Sequence, residues 1–151
     1  PEDYVSRVAR EKAGAGLLQV VGVPGAVALG ADTEVVLDDE VFGKPAGEAD
    51  AARMLRRLSG RTHRVISVVW AVSAGREEHA VCVSTVEFDA LSGATIAAYV
   101  ATGEPAGKAG AYAIQGRAAA FVRRLEGSYS GVMGLPLHET ARLLGHFGLP
   151  D

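Results

Sequence analysis

Two β-branched runs, Val65 to Val72 and Ala80 to Phe88, stand on either side of Gly75-Arg76-Glu77-Glu78. Val, Ile, Thr and aromatic side chains suit a pleated, half-buried surface, and a glycine among charged residues marks a reversal, so the pair is predicted to be a long antiparallel hairpin. Such a hairpin needs neighbouring strands and a helical cover, and the flanking sequence provides both. From Asp3 to about Leu18 the residues Val5, Val8, Ala9, Ala13 and Leu17 recur at helical spacing behind an acidic start. A turn holding Pro24 leads to a strand over Ala26 to Val36, and Asp38-Asp39 turns it into Val41-Phe42. The next helix, Gly47 to Leu58, sets Ala51, Met54, Leu55 and Leu58 against Arg53, Arg56 and Arg57 on its other face, and Ser59-Gly60 closes it. A helix from Ser92 through Val100, a glycine-rich loop from Gly103 to Gly116, a strand over Ala118 to Leu125, a second loop to Leu135 and a helix over Pro136 to Leu144 complete the chain. The order implies a single α/β domain over residues 1–151, with a mixed twisted sheet and flanking helices.

Composition narrows the function. A net charge of −3 leaves no basic excess to displace counterions from a polyanion, so neither a polymeric nucleic acid nor an anionic membrane surface is expected as partner. No apolar run approaches the length of a membrane span. The single cysteine, Cys82, lies in the apolar run Val81-Cys82-Val83 and reads as a small buried hydrophobe; with no disulfide framework possible, a cytoplasmic setting is expected.

Chemistry concentrates in Leu29-Gly30-Ala31-Asp32-Thr33-Glu34-Val35-Val36, where an apolar run breaks to present an acid beside a hydroxyl, with Gly43-Lys44-Pro45 following. Asp32 has two readings. It is a turn acid satisfied by backbone amides, or it is a carboxylate that accepts a proton from water or holds a divalent metal at a polyphosphate. The basic residues sharpen the choice, because of fifteen only Lys12, Lys44 and Lys108 are lysines, each beside a glycine, alanine or proline. A compact ammonium suits point contact with phosphate oxygens, although lysines surviving by chance in an arginine-rich composition would look the same. Glu104 and Lys108 flank Pro105-Ala106-Gly107, and Gln115 sits where a base edge could be read, in a loop whose glycines suit either close ligand approach or a plain surface. His63 is expected at a strand entry with a satisfied ring. His79, His138 and His146 show no metal-ligand spacing with one another or with Cys82.

Arg10-Glu11-Lys12-Ala13, Gly30-Ala31-Asp32-Thr33, Gly43-Lys44-Pro45, Leu58-Ser59-Gly60-Arg61-Thr62-His63, Gly103-Glu104-Pro105, Lys108-Ala109-Gly110-Ala111-Tyr112, Ile114-Gln115-Gly116, Glu126-Gly127-Ser128-Tyr129 and Gly134-Leu135-Pro136 follow one another along the chain. In this order they resemble the Maf family of nucleoside triphosphate pyrophosphatases, first described as septum-formation inhibitors. The resemblance implies hydrolysis of a nucleoside triphosphate between its α and β phosphates with a divalent metal, Mg2+ or Mn2+. It places Asp32, already read as a carboxylate suited to a divalent metal, as general base, Lys12 and Lys44 in the catalytic cleft, and Thr33 and Gln115 at positions linked to substrate choice. Lys108 and Glu104 are carried as further substrate-binding candidates. The Gly-Ala-Asp-Thr form is similar to the branch acting on dTTP and UTP. The implied fold has two lobes around a cleft, and the implied assembly is a homodimer. Family members open with a strand and a Ser-x-Ser-x-Arg-Arg loop followed by a Glu. The chain begins at the helix beyond them, so it is expected to be a truncated or incompletely sequenced member with weakened turnover. The alternative is a non-catalytic nucleotide-binding or septum-regulating module that keeps the cleft without that loop.

Overall fold

Helix α1, Glu2–Gln19, lies across the centre of a sheet built from β1, Ala28–Leu37, β2, Glu40–Phe42, β3, Thr62–Ser73, β4, Arg76–Phe88, and β5, Val122–Glu126. The computed structural model describes residues 2–149. The five strands run in the order β2-β1-β3-β4-β5, and every pairing among the described residues is antiparallel. The α/β class with flanking helices is as expected. The pairing, expected to be mixed, is antiparallel because β1–β2 and β3–β4 are hairpins and the longer connections return each chain reversed beside its neighbour. The β3–β4 hairpin is longer than predicted and turns at Ala74-Gly75. Its polar extension is held from outside: Arg10 makes two hydrogen bonds to Glu77, of 2.9 and 3.1 Å, and the Trp70 ring stacks on His79.

Alternation along the strands divides the core. Val36, Ile66 and Val68 face α1 and pack on Val5 and Ala9. Val35, Leu37, Val65, Val86 and Phe88 face the other side, where they meet α2, Glu48–Leu58, and α3, Gly93–Ala101, through Leu55, Leu58, Ile96 and Tyr99. Further along that second face, Val69 and Ala71 pack on Leu143 of α5, Leu137–His146. Between α3 and α5 the chain departs from prediction twice. Ala118 to Phe121 coil as a 3-10 turn, because Ala118 is fully buried and its small neighbours allow the tight winding, and β5 begins only at Val122. The second glycine-rich loop contains a short helix, α4, Tyr129–Met133, whose Ser128 side chain accepts from Gly131 N at 2.9 Å and whose end is set by Gly134.

The helices of the second face therefore form two groups. One, with α2 and α3, stands over Val35, Leu37 and Val86; the other, with α4 and α5, stands over Ser67, Val69 and Ala71. A cleft opens between them above the middle of β1 and β3. Among the described residues no helix is long and apolar enough to cross a membrane.

Candidate active site

Thr33, Val35 and Val65, successive inward positions on adjacent strands, line this cleft of about 240 Å³. Asp32 reaches it from the opposite face of β1, where it meets α1. That meeting depends on Gly30. A Cβ built there would fall 2.3 Å from both Ala13 N and Ala9 O, so only glycine allows the helix backbone to lie directly on the strand. The close approach brings the Lys12 ammonium within 3.1 Å of Asp32 Oδ1 and 3.3 Å of Ala31 O. The Asp32 side chain is 19% exposed, dry enough for its charge to matter and open enough for a ligand to reach it.

The opposite wall is the first glycine-rich loop. Gly110 N donates to Gly43 O at 3.1 Å, and a Cβ on Gly110 would lie 2.8 Å from a methyl of Val35. This contact presses the loop onto the floor and pins it to the β2–α2 connection, which brings Lys44 and Lys108 into the same lining. Both are exposed, and among the described residues neither forms a salt bridge. The arginines behave differently: Arg53 and Arg57 pair with Glu40, Arg61 with Asp38 and Arg76 with Glu78. Guanidinium groups thus neutralise surface carboxylates, while the lysines gather at the cleft.

Gln115 also lines the cleft, near Ala113 and Tyr112. Tyr112 is buried and its hydroxyl lies 2.7 Å from His63 Nε2; burial pushes its phenol well above the ordinary range. His63 is buried, and burial lowers its ring from an ordinary 6.5 to about 4, leaving it neutral. Its Nδ1 has no hydrogen-bond partner among the described residues, so the ring is satisfied at one nitrogen only. Glu34, two residues beyond Asp32 on the same face, is buried with Oε2 likewise unpartnered among the described residues. Its carboxyl is raised by burial, and further by the charge of Asp32.

Of the residues singled out from sequence, Lys12, Asp32, Thr33, Lys44, Lys108 and Gln115 share the cleft, and Glu104 does not. Glu104 stands in a separate surface depression. Its Oε1 accepts from the Tyr99 hydroxyl at 2.9 Å and its Oε2 from Arg117 N at 3.2 Å, while Tyr99 in turn accepts from Ala113 N. The carboxylate therefore bolts down the segment that carries Tyr112 and Gln115. Sequence reading did not foresee the third wall, where Val132, Met133 and Gly134 of α4 and its cap close over Thr33. Ser128 and Gly134, spaced as N-cap and C-cap of a short helix, were the available signal.

A divalent metal fits this donor set in one way. Among the described residues no group of three or more His, Cys, Asp or Glu side chains converges, so the protein offers the Asp32 carboxylate and little else. Magnesium and manganese accept that arrangement, because they retain waters and take one or two carboxylates together with phosphate oxygens.

The sequence that builds this cleft is shared with known proteins. The family model described as "Maf-like protein" matches residues 1–147. A protein of Xanthomonas euvesicatoria pv. vesicatoria named "dTTP/UTP pyrophosphatase" is 61% identical over 150 residues, which covers 98% of this chain and 79% of the relative. A protein of Xylella fastidiosa strain M23 named "Nucleoside triphosphate pyrophosphatase" is 60% identical over 148 residues, covering 97% and 78% respectively. The chain belongs to the Maf family.

Proposed function

We propose that this protein is an enzyme that hydrolyses a nucleoside triphosphate, with dTTP or UTP preferred, to the monophosphate and pyrophosphate. The observation that carries the reading is the sharing of one cleft by the Lys12–Asp32 pair, Lys44 and Lys108, in a chain 61% identical to a protein named for that activity. Lys44 and Lys108, free of carboxylate partners among the described residues, contact phosphate oxygens as point charges. Lys12 holds Asp32 Oδ1, leaving Oδ2 to accept a proton from water. As that proton leaves, the water oxygen bonds to a phosphorus beside the α–β bridge and the bond from that phosphorus to the bridging oxygen breaks. The electron pair departs on the leaving phosphate, where ammonium groups offset the developing charge. When bound, a magnesium or manganese ion supplies further charge neutralisation at the phosphates, and Asp32 is the residue that would hold it. Gln115 and Thr33, which line the same cleft, are assigned in this reading to recognition of the base, and Glu104 acts through the loop it anchors. The proposal extends to a homodimer in the cytoplasm, as the family resemblance implies.

Pyrophosphate release from a panel of triphosphates, with magnesium or manganese present, tests the reading. Release from UTP and dTTP is expected, with Asp32→Asn slower by about 10²- to 10⁴-fold. No release from any triphosphate, or an Asp32→Asn variant as fast as the parent, rejects it.

A further inference from the structure

Ser67 is fully buried on β3, directly opposite Thr33 on β1. Its Oγ lies 2.5 Å from the carbonyl oxygen of Gly131 in α4 and 2.8 Å from Thr33 Oγ1. A hydroxyl has one proton. Two oxygens 2.5 Å apart repel unless a proton lies between them, and a carbonyl has none to give, so the Ser67 proton is committed to Gly131 O. The 2.8 Å contact then needs the other hydroxyl to donate, and the Thr33 proton is committed to Ser67. The remaining acceptor near Thr33, Gly134 O, is 3.5 Å away and does not compete. Thr33 thus has lone pairs and no proton to offer the cleft, and no donor among the described residues occupies them.

We propose that Ser67 is a positioning residue that fixes Thr33 as a hydrogen-bond acceptor, and that this acceptor reads the imino N–H of uracil or thymine. The inference rests on the nucleotide-hydrolase reading above. In that reading the lysines and Asp32 take the phosphates, and the base packs beside Thr33 against the apolar side chains of Val35, Val65 and Val132 that line the same cleft. Uracil and thymine present a donor at N3. Cytosine presents a lone pair at the same atom, and a lone pair facing the oxygen of Thr33 is repelled. The alternative donor from the same substrate is a sugar hydroxyl, which UTP and CTP share equally, so comparing those two nucleotides isolates the base.

The test compares kcat/KM and, independently, calorimetric affinity for UTP and CTP in the parent, Ser67→Ala, Thr33→Val and Thr33→Ser. Removing the Ser67 acceptor frees the Thr33 proton to turn toward cytosine N3, so the UTP:CTP ratio is expected to fall about tenfold in Ser67→Ala. Thr33→Val, which keeps the shape and deletes the acceptor, should lose the ratio as well, and Thr33→Ser should retain it. A buried residue with a merely structural role would slow both nucleotides alike, so a Ser67→Ala ratio within about twofold of the parent overturns the proposal. If Ser67→Ala fails to fold, an unmoved ratio in Thr33→Val overturns it instead. A changed response to 3′-deoxy-UTP with an unmoved UTP:CTP ratio assigns the acceptor to the sugar and also overturns it. Absence of pyrophosphate release from the parent would remove the hydrolase reading alone, because the binding ratio still reads the polarity of Thr33.

Discussion

Lys12 of α1 donates to Asp32 of β1 across 3.1 Å, and the contact exists because Gly30 lets the helix lie on the strand. The pairing of ammonium and carboxylate is therefore a consequence of backbone packing one turn and two residues away. Gly30→Ala would drive a methyl into the α1 backbone rather than into a side chain that can swing aside, and overpacking of this kind costs about 1–3 kcal/mol. Gly14 on the same helix has open space around a Cβ, so Gly14→Ala should instead stabilise by about 0.5–1 kcal/mol through helix propensity. Thermal unfolding of the two variants should move in opposite directions. Gly30→Ala should also lose pyrophosphate release at temperatures where it remains folded, because Lys12 no longer reaches Asp32.

Lys44 and Lys108 come from loops joined by the Gly110 N to Gly43 O hydrogen bond, and neither is neutralised by a carboxylate among the described residues. Charge-assisted contacts of this type are worth about 1.5–3 kcal/mol each, so Lys44→Ala or Lys108→Ala should weaken triphosphate binding by about 10- to 100-fold. Affinity for the free nucleoside should hardly change. Arginine at either position restores charge without the same compact geometry and should rescue only part of the loss. Titration calorimetry against UTP and uridine at two salt concentrations separates these outcomes, with the triphosphate term shrinking as salt rises.

Much of this architecture was legible because it follows periodicity. The α1 stripe of Val5, Ala9 and Ala13 is buried as its spacing requires, and the apolar face of α2 through Ala51, Met54, Leu55 and Leu58 enters the main core. The lysines and the acid that breaks the β1 run were also legible, as were Thr33 and Gln115 through the family blocks that hold them, and Lys12, Asp32, Thr33, Lys44, Lys108 and Gln115 line one cleft. What escaped was set by contacts distant in sequence. Ser67 looks like one more residue of a β-branched run, and only its register with Thr33 and the docking of α4 give its hydroxyl a direction. Glu104 sits in a loop that suggested ligand contact, yet its oxygens are taken by Tyr99 and Arg117, which no local pattern announces.

The buried His63 ring makes stability depend on pH. In the unfolded chain it takes a proton near its ordinary 6.5, and in the fold only near about 4. Between those values the unfolded chain binds more protons, so stability is full above pH 6.5 and is lost as pH falls toward 4. The size of the effect is on the order of 3 kcal/mol, at about 1.36 kcal/mol for each unit of displacement. Urea midpoints measured across this range should fall with acid in the parent. The slope should flatten in His63→Gln, which removes the titrating ring while lowering stability at neutral pH. Equal slopes in the two proteins would show that other groups cause the acid sensitivity.

Glu104 offers the sharpest separation between touching the substrate and holding what touches it. Its two oxygens accept from Tyr99 Oη and Arg117 N, and Tyr99 continues the chain to Ala113 N, so the carboxylate fixes both ends of the segment bearing Gln115. In Glu104→Ala that segment keeps its buried Tyr112 but loses its anchors, and the amides of Ala113 and Arg117 should exchange with solvent faster than in the parent. Because the lysines stand on other supports, pyrophosphate should inhibit the variant at an unchanged concentration while KM for the nucleotide rises. Glu104→Gln keeps an acceptor for one partner and should fall between Ala and the parent in both exchange and KM. A direct contact to the phosphates would give the reverse pattern: pyrophosphate inhibition altered, amide exchange the same, and Gln no better than Ala.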